Sequence, residues 1–150
     1  MARNALAILF CAWIAAQAVA LAEMDASEQA RQQQRRAAEL AKAPPRAHSL
    51  TNPLADDPQA VAAGRKLFEE HCQECHGERA VGGKKAPNLR QEEVRSAAPG
   101  VLFWFLSNGN LRHGMPTWSK LPEPERWQLV SFLKSLAAER EAASQPMPGR

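Results

Sequence analysis

Cysteine is scarce in this chain: three residues in 150, with Cys11 far from the pair Cys72 and Cys75. That excludes a disulfide-stapled scaffold, because two bridges would need four thiols. Tyrosine is absent altogether. Blocks of lysine and arginine are missing too. The formal net charge is +3, but the basic residues are scattered among acids, which excludes a nucleic-acid partner. Between Gly64 and Leu136 there are 11 Lys and Arg against 8 Asp and Glu, a surplus of three, so long-range steering by net charge is mild. No stretch alternates apolar and polar residues with period two, which removes strands from the expectation and leaves an all-α class. A compact helical unit of roughly 80 residues buries a modest share of its surface, and such units commonly lean on a disulfide, a metal or a cofactor.

What is present falls into four stretches. Residues 1–22 carry one early charge, Arg3, then an apolar run ending in Ala20-Leu21-Ala22, the pattern of a secretory signal peptide. The alternative is an uncleaved leader that tethers the chain to a membrane, since 18 mostly apolar residues sit at the short edge of a bilayer span. Residues 23–57 are polar, with a Gln and Arg run and Pro44-Pro45; with almost no apolar anchors they read as a solvated spacer or frayed helix. Residues 58–140 form the compact domain, and 141–150 read as a disordered tail. Export places Cys72 and Cys75 in an oxidising, periplasmic compartment, where they need a use.

Within the domain, Asp57-Pro58 is a helix start, an acidic N-cap followed by proline at the first position. Val61, Gly64, Leu67, Phe68 and His71 then recur at helical intervals, predicting a helix to about Glu74. A short helix over 91–97 is a weaker expectation. Another over 99–107 should stop at Asn108-Gly109 in a left-handed cap. The last should start at Glu123-Pro124-Glu125 and reach about Arg140, with Leu129, Phe132, Leu133 and Leu136 on one face.

The chemistry is concentrated in Cys72-Gln73-Glu74-Cys75-His76. Two thiols three residues apart near a helix end face one side, so both can add to the vinyl groups along one porphyrin edge, and the next residue brings an imidazole beneath the iron. On this reading Cys72 and Cys75 are thioether anchors of one covalent haem c, and His76 is an axial iron ligand. Three alternatives compete: a thioredoxin-like dithiol, which expects a preceding strand; a zinc site, which needs about four ligands; and a plain disulfide. The second axial position points to Met115 in Leu111-Arg112-His113-Gly114-Met115-Pro116, where Pro116 stiffens the loop and a soft sulfur favours ferrous iron. His113 is the rival ligand. His48 and His71 read as solvated or packing residues.

Gly64, Phe68 and Cys72 at four-residue spacing, the attachment motif, Ala86-Pro87-Asn88-Leu89, Gly114-Met115-Pro116 and a closing aromatic-rich helix follow one another in the order of class I cytochromes c, which the chain resembles from about Asp57 to Ala138. The lack of tyrosine and the short middle section make it similar to the compact bacterial type. The resemblance implies a cytochrome c-like fold around one haem, with Gly64 and Phe68 of the first helix crossing Phe132 and Leu133 of the last. It implies that Pro87 offers its carbonyl to Nδ1 of His76. Trp118 would line the haem or reach a propionate, unless it is a core residue. An apolar jacket of Leu89, Leu102, Phe105, Leu106 and Leu111 would exclude water, while Lys84-Lys85, Arg112 and Lys120 read as solvated charges, with a ring around the docking edge as the alternative. The implied function is a periplasmic electron carrier, not itself catalytic, between a donor dehydrogenase and an acceptor oxidase. The alternatives are an electron-transfer subunit of a larger complex and, if Met115 leaves the iron, a haem peroxidase or gas sensor.

Overall fold

The computed structural model describes residues 2–83 and 86–144. Lys84-Lys85 and the tail from residue 145 lie outside them. The described chain is helical: α1 (Ala2–Leu40), α2 (Pro45–Ser49), α3 (Pro58–His71), α4 (Gln73–His76), α5 (Glu92–Ser96), α6 (Pro99–Asn108) and α7 (Glu123–Ser144), with a 3-10 turn over Leu111–His113. The one extended pairing among the described residues is an isolated bridge between Asn110 and Met115. The chain divides into two units, one up to Ala38 and one from Glu39 onward.

The first unit is the body of α1, on which Trp13, Leu21 and Met24 lie exposed. Among the described residues no helix is long and apolar enough to cross a membrane.

The second unit is built on the crossing of α3 and α7. The Asp57 side chain accepts from the Gln59 amide at 2.8 Å and Pro58 occupies the first turn, as the start signal predicts. Gly64 is where the two helices touch: a Cβ there would lie 2.0 Å from the Gln128 carbonyl oxygen and 2.9 Å from Phe132 Cβ. That approach brings Phe68 against Phe132, ring centroids 5.2 Å apart, in a core that includes Leu102, Leu106, Leu129, Leu133 and Leu136. Phe103 stacks on Trp127 at 4.1 Å, which joins α6 to the start of α7.

The compact unit begins earlier than the expected boundary at residue 58. Ala43 and Ala47 are buried with Val101 of α6, and the Asn52 side chain is buried against α7, donating to Ser131 Oγ at 2.8 Å and to the Trp127 carbonyl at 3.3 Å. Ser131 Oγ donates onward to the Leu54 carbonyl. Residues 39–54 are therefore a strap over the domain, not a solvated spacer. Leu40 and Leu54 pack partly buried at its two ends, and between them small residues suffice: α6 offers Gly100, where a Cβ would sit 2.2 Å from the Ala47 carbonyl oxygen, so backbone packs on backbone.

The end of α7 also departs from expectation. Residues 141–144, assigned to the tail, continue the helix in an alanine- and glutamate-rich stretch of strong helix formers. Helix α3 breaks at Cys72 (φ −122°, ψ −32°), short of the expected end at Glu74, and the chain restarts as α4.

Candidate functional site

The break at Cys72 shapes the attachment segment. Cys72 N–H still donates to Phe68 O at 2.8 Å, closing α3, while Cys72 O accepts from the amides of Cys75 (3.2 Å) and His76 (3.0 Å). Cys72 and Cys75 therefore bracket a single turn, their sulfurs unpaired, Cys72 half-buried and Cys75 exposed.

Beyond α4 the chain folds back on His76. Gly82 N–H donates to His76 O at 2.8 Å, Gly83 N–H to Ala86 O at 2.9 Å, and Leu89 N–H to the carbonyl of buried Ala80 at 2.8 Å. Gly82 has φ +73°, and a Cβ there would lie 2.5 Å from Asn88 N and Pro87 C, so only glycine lets the loop close this tightly. The closure delivers the Pro87 carbonyl to 3.0 Å from His76 Nδ1. A proline carbonyl can only accept, so Nδ1 carries the proton and Nε2 keeps its lone pair.

Met115 is held by the end of α6. Asn110 and Met115 exchange both backbone hydrogen bonds, at 2.9 and 3.1 Å. Thr117 Oγ1 donates to Ser107 O at 2.6 Å and Trp118 N–H to Leu106 O at 2.8 Å. Gly109 permits this return, but not as the expected left-handed cap. Its φ of +67° comes with ψ of −172°, a region nearly closed to other residues, and a Cβ would lie 2.6 Å from Pro116 C. Met115 packs half-buried against the main core, as does Trp118, whose ring lies 5.2 Å from that of His71. His113, the rival ligand, sits in the exposed 3-10 turn with Nδ1 held 3.0 Å from Asn110 Oδ1. His48 is exposed on α2.

The apolar surroundings match only in part. Leu102 and Leu106 are buried and Leu89 packs on the same core, but Phe105 belongs to the strap's cluster with Ala43, Ala47 and Val101, and Leu111 is 75% exposed. The strap captures Phe105, and the 3-10 turn carries Leu111 outward. Arg112 and Lys120 are exposed.

Electrostatics separate the chemical options. Burial pushes the Cys72 thiol up to about 11, with the neighbouring Cys75 adding to the rise, the opposite of the lowered value a reactive dithiol uses. Burial holds the His76 imidazole below its ordinary value, outweighing the Pro87 carbonyl, so the ring is neutral at pH 7. Among the described residues no three His, Cys, Asp or Glu side chains converge as a bare zinc ion would require. Two thiols on one turn, a neutral imidazole with Nε2 free and a tethered thioether suit a haem c.

Residues 59–133, half of the chain, match the family described as cytochrome c oxidase, cbb3-type, subunit III. The chain belongs to this cytochrome c family. Its cofactor is accordingly a covalently bound haem c with its iron, and its work is electron transfer. Among curated relatives of this cytochrome c domain, the quinohemoprotein alcohol dehydrogenase ADH-IIG of Pseudomonas putida is 35% identical over 75 residues, covering 49% of this chain and 10% of that protein. The cbb3-type cytochrome c oxidase subunit CcoP of Rubrivivax gelatinosus is 32% identical over 96 residues, 61% of this chain and 32% of that subunit. The crystal structure of cytochrome cL from the marine methylotroph Methylophaga aminisulfidivorans superposes with a TM-score of 0.51 at 25% identity, over 67% of this chain and 75% of that one. The chain thus spans a tenth to a third of the length of these curated relatives.

Proposed function

We propose that this domain is a mono-haem electron carrier working outside the cytoplasm, with Cys72 and Cys75 as thioether anchors and His76 and Met115 as the two axial ligands. The observation that carries the reading is the hydrogen bond from His76 Nδ1 to the Pro87 carbonyl, which fixes the ring and leaves Nε2 to ligate. When bound, haem c supplies an iron that gains or loses one electron. The chain's own residues attach it, hold both ligands and keep their geometry constant, so little reorganisation accompanies the change of charge. The loop laced to the end of α6 serves that purpose for Met115.

A second reading is favoured by the relatives: in the oxidase subunits and alcohol dehydrogenases this domain is one part of a longer chain. The present chain then serves as the electron-transfer subunit of a larger complex, taking electrons from a dehydrogenase or passing them to an oxidase. Residues 1–22 act as an export signal in either case. The test of the carrier is an optical spectrum of the ferric holoprotein, where a far-red methionine-to-iron charge-transfer band is expected. Rapid binding of carbon monoxide by the reduced protein at neutral pH would overturn it. Co-purification of the native protein, with and without residues 23–38, separates a free carrier from a subunit.

A further inference from the structure

The strap and the methionine loop meet at one point. Glu39, in the last turn of α1, accepts from Asn110 Nδ2 at Oε2 (3.1 Å) and from Lys42 Nζ at Oε1 (2.5 Å). Asn110 is also the residue whose backbone pairs both ways with Met115 and whose Oδ1 meets His113 Nδ1 at 3.0 Å. A single side chain thus joins a carboxylate 71 residues away in sequence to the backbone of the proposed iron ligand. Lys42, first among the causes, holds the Glu39 carboxyl below its usual range; burial opposes, and His113 and Asn110 add to the lowering. Glu39 is therefore anionic at neutral pH, and a bond to an ionised acceptor is stronger than its neutral counterpart.

We infer that Glu39 and Asn110 are positioning residues which clamp the Met115 loop, so that the N-terminal strap holds the methionine on the iron and loosening the strap releases it. The inference rests on Met115 being the second axial ligand. A thioether is a neutral ligand on a short loop, and an incoming ligand must first swing that loop away. Asn110 fixes the loop's near end, and Glu39 fixes the rotamer of Asn110 from the far side. Lys42 orients the carboxylate without touching the loop.

The test uses the full-length ferric holoprotein with cyanide as the competing ligand, following cyanide binding and loss of the far-red methionine band. Glu39→Ala should speed cyanide binding roughly five- to tenfold, the size of one hydrogen bond expressed as a rate. Glu39→Gln keeps an acceptor oxygen and should stay within about twofold, as should Lys42→Ala, which leaves the Asn110 bond in place. Asn110→Ala should exceed Glu39→Ala, and the double variant should add little to it, because the two act as one unit. If the wild type has the methionine band and Glu39→Ala binds cyanide at the wild-type rate, the clamp is refuted while the ligand assignment stands. If the wild type lacks the band, the ligand assignment falls and the clamp with it.

Discussion

Replacing Gly64 with alanine sets a methyl group 2.0 Å from the Gln128 carbonyl oxygen, where ordinary contact begins at 3.4 Å, so α3 and α7 must part by about 1.4 Å. The obstacle is backbone, and no side-chain rotation relieves it. Phe68, Leu129 and Phe132 lie at this crossing, each at most 2% exposed. Burying three such side chains is worth about 7 kcal/mol in total. With the parting shared between separation and tilt of the helices, the side chains at the crossing open gaps of about 0.5–1 Å, which forfeit roughly a quarter to a half of close contact, a loss of about 2–3.5 kcal/mol. Alanine recovers about 1 kcal/mol of helix propensity. The net expectation is destabilisation by about 1–3 kcal/mol, or about 5–20 °C in Tm for a domain of this size. Guanidinium unfolding followed by helical circular dichroism suits the holoprotein, because a covalent haem stays attached in both states. Gly83→Ala is the internal control, since nothing lies within 4 Å of a Cβ there, and it should change stability by less than about 0.5 kcal/mol. Equal midpoints for Gly64→Ala and wild type would refute the account of how the domain closes.

Asn52→Ala removes the amide that pins the strap to Ser131 and Trp127, and should cost about 1–3 kcal/mol with faster proteolysis before residue 54. Gly109→Ala forces a side chain into the backbone after Met115 and should abolish the far-red methionine band at denaturant concentrations where helical signal persists. Cys72→Ser combined with Cys75→Ser should yield a colourless chain without native near-ultraviolet signal, because the haem completes the core; native-like tertiary signal in that variant refutes this. Lys134→Met removes the ammonium that donates to the Arg95 and Ala97 carbonyls at the end of α5, and should lower stability by about 1–2 kcal/mol in thermal melts.

The helices were legible in the sequence wherever the signal was local. Asp57-Pro58 marks the start of α3, the spacing of Gly64 and Phe68 marks its inner face, and the acids at Glu123 and Glu125 mark the start of α7. The attachment motif is equally local, since Cys72, Cys75 and His76 share one turn. The partnership of His76 with Pro87 is visible only through family resemblance, because a carbonyl eleven residues away has no side-chain signature. The strap is illegible for a different reason. Burial of Ala43 and Ala47 depends on the missing side chain of Gly100 over fifty residues later, and a polar residue, Asn52, supplies the anchor where a hydrophobic one is ordinarily sought. Gly109 signalled a helix end correctly, but its ψ is set by the return of Pro116, which the residue pair alone does not encode.

The strap also decides where this protein can be cut. A fragment that begins at Asp57, the natural choice for anyone trimming to the helical repeat pattern, would leave Val101 uncovered and Ser131 without its amide partner. Recombinant versions, fusions and grafts of the haem-bearing part should therefore keep Glu39 and everything after it, with any junction placed upstream in α1.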